Sequence, residues 1–238
     1  MEETKPKRYR RTKADIEKSI KQAAETIILK KGFSEMTVLD IIKHAKIEPI
    51  TFYTRYRNLE EFYDSFVREY DYWLNDMLKM SQDKASTQEG YVEIFKNLTD
   101  SLKEDSIMLE LLRWEVNDAN NLTKRSAMNR EIQTLPLVAT YENLFKDADV
   151  DFVAVSALLI AGIYYLNLHK RCSPFCGIDI KTEEGRNRLI NAIETLSDKL
   201  FMENESTPQK YHDKMASIAE KMRQKGFSEE DIDYCLSD

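Results

Sequence analysis

With 238 residues, 42% hydrophobic and 32% charged, and only 6 Gly and 5 Pro, the chain can bury a sizeable core and reads as a mostly helical protein of one large or two small domains. Its net charge of −7 conceals an asymmetry: the first 57 residues hold 14 Lys and Arg against 8 Asp and Glu, a net +6, and the remainder holds 21 against 34, a net −13. Only the N-terminal quarter suits a polyanion, which excludes non-specific coating of nucleic acid by the whole chain. No apolar run approaches membrane-spanning length and the N-terminus is basic and polar, so a cytoplasmic protein without a membrane partner is expected. Three cysteines, all beyond residue 170, are too few and too clustered for a disulfide framework and fit a reducing compartment.

Residues 1–11 (MEETKPKRYRR) lack apolar periodicity and read as a basic flexible arm. Thr12 and Asp15 then form a capping-box pair, and Ile16, Ile20, Ala23, Ala24, Ile27 and Ile28 recur at helical spacing up to Gly32, which predicts a first helix. Gly32 followed by Phe33 is a helix stop with an apolar residue folding back. Thr37 and Asp40 repeat the capping box and open a short second helix over Val38, Ile41, Ile42 and Ala45. Pro49 suits the first turn of a third helix, because it has no N–H to leave unpaired and its φ is already helical; that helix is expected from Pro49 to Tyr56. Phe33, Met36, Ile47, Phe52 and Tyr56 complete a small three-helix core with the first helix. Asn58 and Glu61 cap a fourth helix, so the middle one has only about two turns, which is enough to lie in a major groove.

Further helices are expected at 59–80, 88–103, 105–118, 123–147, 151–171 and 185–203, with a polar break at 81–88, a kink or division at Pro136, and a loop at 172–184. The 151–171 helix is apolar nearly all round, so it must be buried within the domain or at a subunit interface. Beyond a polar hinge (NESTP), 209–224 and 228–236 read as a helical hairpin around Gly226 and Phe227, too small for its own core. The expected organisation is thus all-α: the arm (1–11), a three-helix helix-turn-helix DNA-binding domain (12–58), a larger helical domain (59–203) and a C-terminal hairpin extension (204–238).

The span Lys13–Phe66, above all MTVLDIIKHA and TFYTRYRNLEEF, resembles the TetR family of bacterial transcriptional regulators. That resemblance implies a homodimeric, all-helical repressor that binds a palindromic operator in double-stranded DNA and is released by a small-molecule effector; no cofactor is expected. It places DNA contacts on Thr37, Glu48, Pro49, Ile50, Thr51, Tyr53, Thr54 and Arg55. The family's usual turn glycine is Lys46 here, the recognition helix starts with Glu48, Pro49 and Ile50, and an expected lysine is Leu59. Lys46, Arg55, Arg57 and the arm must therefore supply more of the electrostatic attraction. Thr37 and Thr51 offer hydroxyls to phosphates, Glu48 can accept from a cytosine amine, and Ile50 can meet a thymine methyl.

In the larger domain, Met108, Trp114, Tyr141 and Tyr165 belong to an aromatic and methionine set that can line an apolar effector pocket or simply form core. His169, Cys172 and Cys176 have ligand types and spacing compatible with zinc or a redox pair, but a structural zinc site needs four ligands, and Pro174 and Gly177 account for the loop without metal. No phosphate loop, serine elbow or paired carboxylate suggests an enzyme. The rival reading is a helical adaptor with weakened DNA binding. Deleting residues 1–11 is expected to weaken DNA binding and flatten its salt dependence, read as the slope of log affinity against log salt; an unchanged slope excludes the arm from the interface.

Overall fold

A computed structural model describes residues 11–70, 73, 84, 86–205 and 208–229, the side chains of 203–205 and 208–214 excepted. The chain is all-α. Among the described residues are ten helices and no strand: α1 (Lys13–Lys31), α2 (Val38–Ala45), α3 (Pro49–Tyr53), α4 (Leu59–Arg68), α5 (Gln88–Glu104), α6 (Ser106–Asn117), α7 (Asn121–Leu144), α8 (Phe152–His169), α9 (Glu183–Glu205) and α10 (Pro208–Gln224). The arm up to residue 10, residues 81–83 and 85 of the 81–88 break and the second arm of the C-terminal hairpin beyond 229 lie outside the described residues.

Side-chain caps set the starts of the first helices. Thr12 with Asp15 and Thr37 with Asp40 form complete capping boxes. At α4 the box is only half made. Asn58 accepts the Glu61 N–H at 2.8 Å, but the Glu61 carboxylate reaches past it to the N–H of Arg57 at 2.6 Å. Three expectations are corrected. α3 ends at Tyr53 rather than Tyr56, because Arg55 N–H turns to the Phe52 carbonyl in a tighter i→i−3 bond. α4 ends at Arg68 through similar short bonds, Glu69 to Phe66 and Tyr70 to Val67, and most of the span to residue 80 lies outside the described residues. α7 runs unbroken through Pro136. The proline deprives only the Ile132 carbonyl of its partner, and Ile132 is exposed, so water can serve it.

The chain divides into two compact units, Met1–Leu78 with Asp100–Thr134, and Lys79–Thr99 with Leu135–Asp238. In the first, α1 packs against α2 and α6, and the core gathers Ile20, Ala24, Ile28, Ile41 and Phe52. Gly32 leaves α1 at φ 80, which a residue without Cβ adopts freely, and Phe33 turns inward to 1% exposure. Its ring stacks on Trp114 of α6 at 4.8 Å and 3°, with Tyr63 and Phe66 of α4 alongside. The Tyr63 hydroxyl donates to the Phe33 carbonyl. Ile47 and Tyr56 are only half-buried. Ion pairs join distant elements of this unit: Lys21 to Glu69, Arg125 to Asp64, and the buried Arg130 to Glu115.

In the second unit, Tyr91, Phe95, Tyr141, Phe145, Phe152 and Phe201 form one aromatic cluster, with Phe145 stacked on Phe152. Lys96 pairs with Glu194 at 2.5 Å, fastening α5 to α9. Of the eighteen residues of α8, only Phe152, Ile163 and Asn167 are buried. By length and composition α8 is sufficient to cross a membrane, which corrects the expectation that no apolar run reaches that length.

The turn between α2 and α3 carries local strain. Lys46 sits in the left-handed region at φ 51, ψ 54, where its Cβ crowds the following carbonyl. Lys46→Gly is expected to raise stability by about 0.5–1 kcal/mol, the steric relief exceeding the added freedom of glycine in the unfolded chain, as measured by thermal or urea denaturation.

Candidate nucleic-acid interface

The exposed surface of α2, its turn and α3 contains most of the residues expected to meet DNA. Lys46, Glu48, Pro49, Ile50, Tyr53, Thr54 and Arg57 are exposed, Ile50 at 69% and Tyr53 at 52%. Phe52 is the buried residue of α3; its ring meets those of Tyr56 and Phe62 at 5.3 and 6.0 Å and so turns the other face of α3 outward. Several of the expected contacts, Thr37, Thr51, Thr54, Arg55 and Arg57 among them, also bond within the protein. The Thr37 hydroxyl donates its proton to Asp40 at 2.5 Å while accepting the Asp40 N–H. Thr51 is half-buried, and its carbonyl accepts from both Thr54 Oγ1 at 3.1 Å and Arg55 Nη1 at 2.8 Å. Arg55 thus lies folded along its own helix end. Glu48 occupies the N-cap position of α3 without making a side-chain cap bond, so its carboxylate is not engaged in capping.

Electrostatic order around α2 involves residues that sequence spacing did not single out. Lys31, at the end of α1, reaches the Asp40 carboxylate at 2.8 Å, tying the end of one helix to the start of the next. The Lys31 ammonium and the Thr37 hydroxyl together hold the Asp40 carboxyl down to about 2. Arg11, the last residue of the arm, donates from Nη1 to the Ala45 carbonyl at 3.0 Å and the Lys46 carbonyl at 3.4 Å, where the end of α2 is electronegative. The arm is therefore rooted beside the turn that leads into α3. His44 Nδ1 lies 2.9 Å from the Asp40 carbonyl; because a carbonyl only accepts, Nδ1 donates in this contact. Leu39 of α2 is 59% exposed and was missed. Its position out of phase with Ile41, Ile42 and Ala45 was the signal that could have found it.

The four expected effector-site residues fall in different settings. Met108 and Trp114 belong to the first unit: Met108 is fully buried, and Trp114 stacks on Phe33 and donates from its indole to Asp118 at 3.2 Å. Tyr141 and Tyr165 belong to the second. Tyr141 is 4% exposed in the aromatic cluster, its hydroxyl has no hydrogen-bond partner, and burial pushes that hydroxyl's pKa well up. Tyr165 is exposed and stacks on His169.

The His169, Cys172 and Cys176 set does not assemble a metal site among the described residues. The His169 ring nitrogens face Tyr165 and Ser173, and both thiols are free and exposed. Cys176 and Gly177, at φ 50 and 74, form a hairpin turn between Phe175 and Ile178.

No protein-family model and no curated protein matches this chain.

The setting of Asp40 has a pH signature. A carboxyl with a depressed folded-state pKa stabilises the fold fully above its unfolded value of 3.8, and that contribution fades as pH falls towards about 2. The side-chain carboxyl of Asp40 is expected to titrate near 2 by NMR, and the stability deficit of Asp40→Asn at neutral pH is expected to shrink below about pH 4.

Proposed function

We propose that the chain is a DNA-binding transcriptional regulator of the TetR type: a cytoplasmic homodimer that represses from a palindromic operator and is released by a small-molecule effector. The observation that carries this reading is the outward face of α3. Phe52 anchors that short helix, Lys46 and Arg57 lie exposed on its flanks, and Arg11 roots a basic arm at the same turn. A helix held by one buried aromatic, between cations that can meet phosphates, has the form needed to enter a major groove. The helix-turn-helix and the larger ligand-binding and dimerisation domain belong to this proposal.

The dimer is supported by α8, a largely apolar helix of whose eighteen residues only Phe152, Ile163 and Asn167 are buried. A second copy laid against α8 and α9 would remove that surface from water as a four-helix bundle. A bilayer is a poor alternative cover: Phe152 of α8 packs on Phe201 of α9, and α9 carries Arg186, Arg188, Asp198 and Lys199. The effector is supported by Tyr141, a buried hydroxyl awaiting a partner within an aromatic cluster; a small molecule with an aromatic or apolar body and one hydrogen-bonding group fits that chemistry. In this reading an effector that binds the state with misplaced α3 helices better than the DNA-competent state releases the operator by population shift.

The apolar Leu39, Ile50 and Tyr53 and the acidic Glu48 on the same elements favour a second reading, an adaptor that docks another protein on this face. Selection of bound fragments from a random double-stranded DNA pool separates the two. The regulator is expected to enrich a palindrome with half-sites about one helical turn apart, and no enrichment even at low salt would sink it.

A further inference from the structure

The chemistry of α3 narrows what such an operator must contain, an inference that rests on the DNA-binding reading above. Residues 48–54 (EPITFYT) include no Arg, Lys, Asn or Gln, the side chains that grip guanine or adenine edges through paired hydrogen bonds. The nearest guanidinium, Arg55, is half-buried and donates to the Thr51 carbonyl of its own helix. Thr54 donates its hydroxyl proton to that same carbonyl at 3.1 Å. The most exposed large group on α3 is Ile50, at 69%.

Ile50 is also firmly placed. It follows Pro49, whose ring fixes the backbone at the first turn, and its carbonyl accepts the Thr54 N–H at 3.0 Å. A β-branched side chain on a helix keeps essentially one χ1 setting, so its methyl groups project in a defined direction. Residues at the start of a groove-entering helix are the ones that meet base edges. Among the groups displayed in the major groove, the thymine C5-methyl is the apolar one, and it alone gives an isoleucine something to gain over water.

We propose that Ile50 is a specificity-determining residue of α3 and reads the 5-methyl group of thymine in each operator half-site. The test replaces thymine by uracil, which removes that methyl and leaves every hydrogen-bonding atom in place. The DNA is the fragment recovered by selection, synthesised with each thymine of one half-site replaced in turn and titrated with the full chain and with its Ile50→Ala variant. Because Ile50 is exposed, Ile50→Ala is expected to keep the thermal midpoint of the parent. One replacement per half-site is expected to weaken binding by the full chain about fourfold, the value of burying a single methyl group, and Ile50→Ala is expected to bind the thymine and uracil fragments equally. Specific binding that ignores every replacement overturns the inference and leaves the DNA reading intact, as does an Ile50→Ala variant that keeps the same uracil penalty. A pool that yields no enriched fragment overturns the DNA reading and the inference with it.

Discussion

The stack of Phe33 on Trp114 is the contact on which the first compact unit depends. Phe33 lies in the turn between α1 and α2, yet its ring faces Tyr63 and Phe66 of α4 and lies flat on Trp114 of α6. Its carbonyl receives the Tyr63 hydroxyl, so ring and backbone are held by different elements. Gly32 makes this possible, because its positive φ ends α1 and turns the next residue inward. Offset-stacked and tilted rings contribute beyond the area they bury, and here they bring together segments that are remote in sequence. Lys31–Asp40 and Lys21–Glu69 then fix the approach of α2 and α4 to α1. The position of α3 thus follows from an aromatic core built largely outside it.

What the sequence disclosed was local. The capping pairs Thr12 with Asp15 and Thr37 with Asp40, the helix stop at Gly32 and the proline start of α3 all depend on residues within four positions of each other, and each was readable from spacing. The length of α3 was overestimated because Tyr56 keeps helical phase with Phe52, although the backbone between them tightens into a turn. Trp114 illustrates the opposite limit. Its composition suits a ligand pocket as well as a core, and only the arrival of Phe33 from the far end of the unit decides where its face lies. Likewise the Arg11 bond to the Ala45 carbonyl and the inward turn of Arg55 are tertiary and conformational outcomes that no periodicity encodes. Exposure of Glu48, Ile50 and Tyr53 was legible, because Phe52 fixes which side of so short a helix must be buried.

The α2–α3 region also separates charge from shape. Its exposed cations, Lys43, Lys46 and Arg57, lie outside α3, whereas the outward side of the helix itself is apolar, hydroxylic or acidic. Asp40, which would repel a phosphate at the start of α2, is neutralised by Lys31. In the proposed complex, attraction to the backbone and discrimination among bases would then reside in different side chains, the first sensitive to salt and the second to the shape of the groove floor.

The bond from Arg11 to the end of α2 fixes where the chain enters α1, beside the turn that leads into α3. A guanidinium on the carbonyl end of α2 offsets the negative end of that helix, so the bond that orders Arg11 would also make the approach of a phosphate to Lys46 less repulsive.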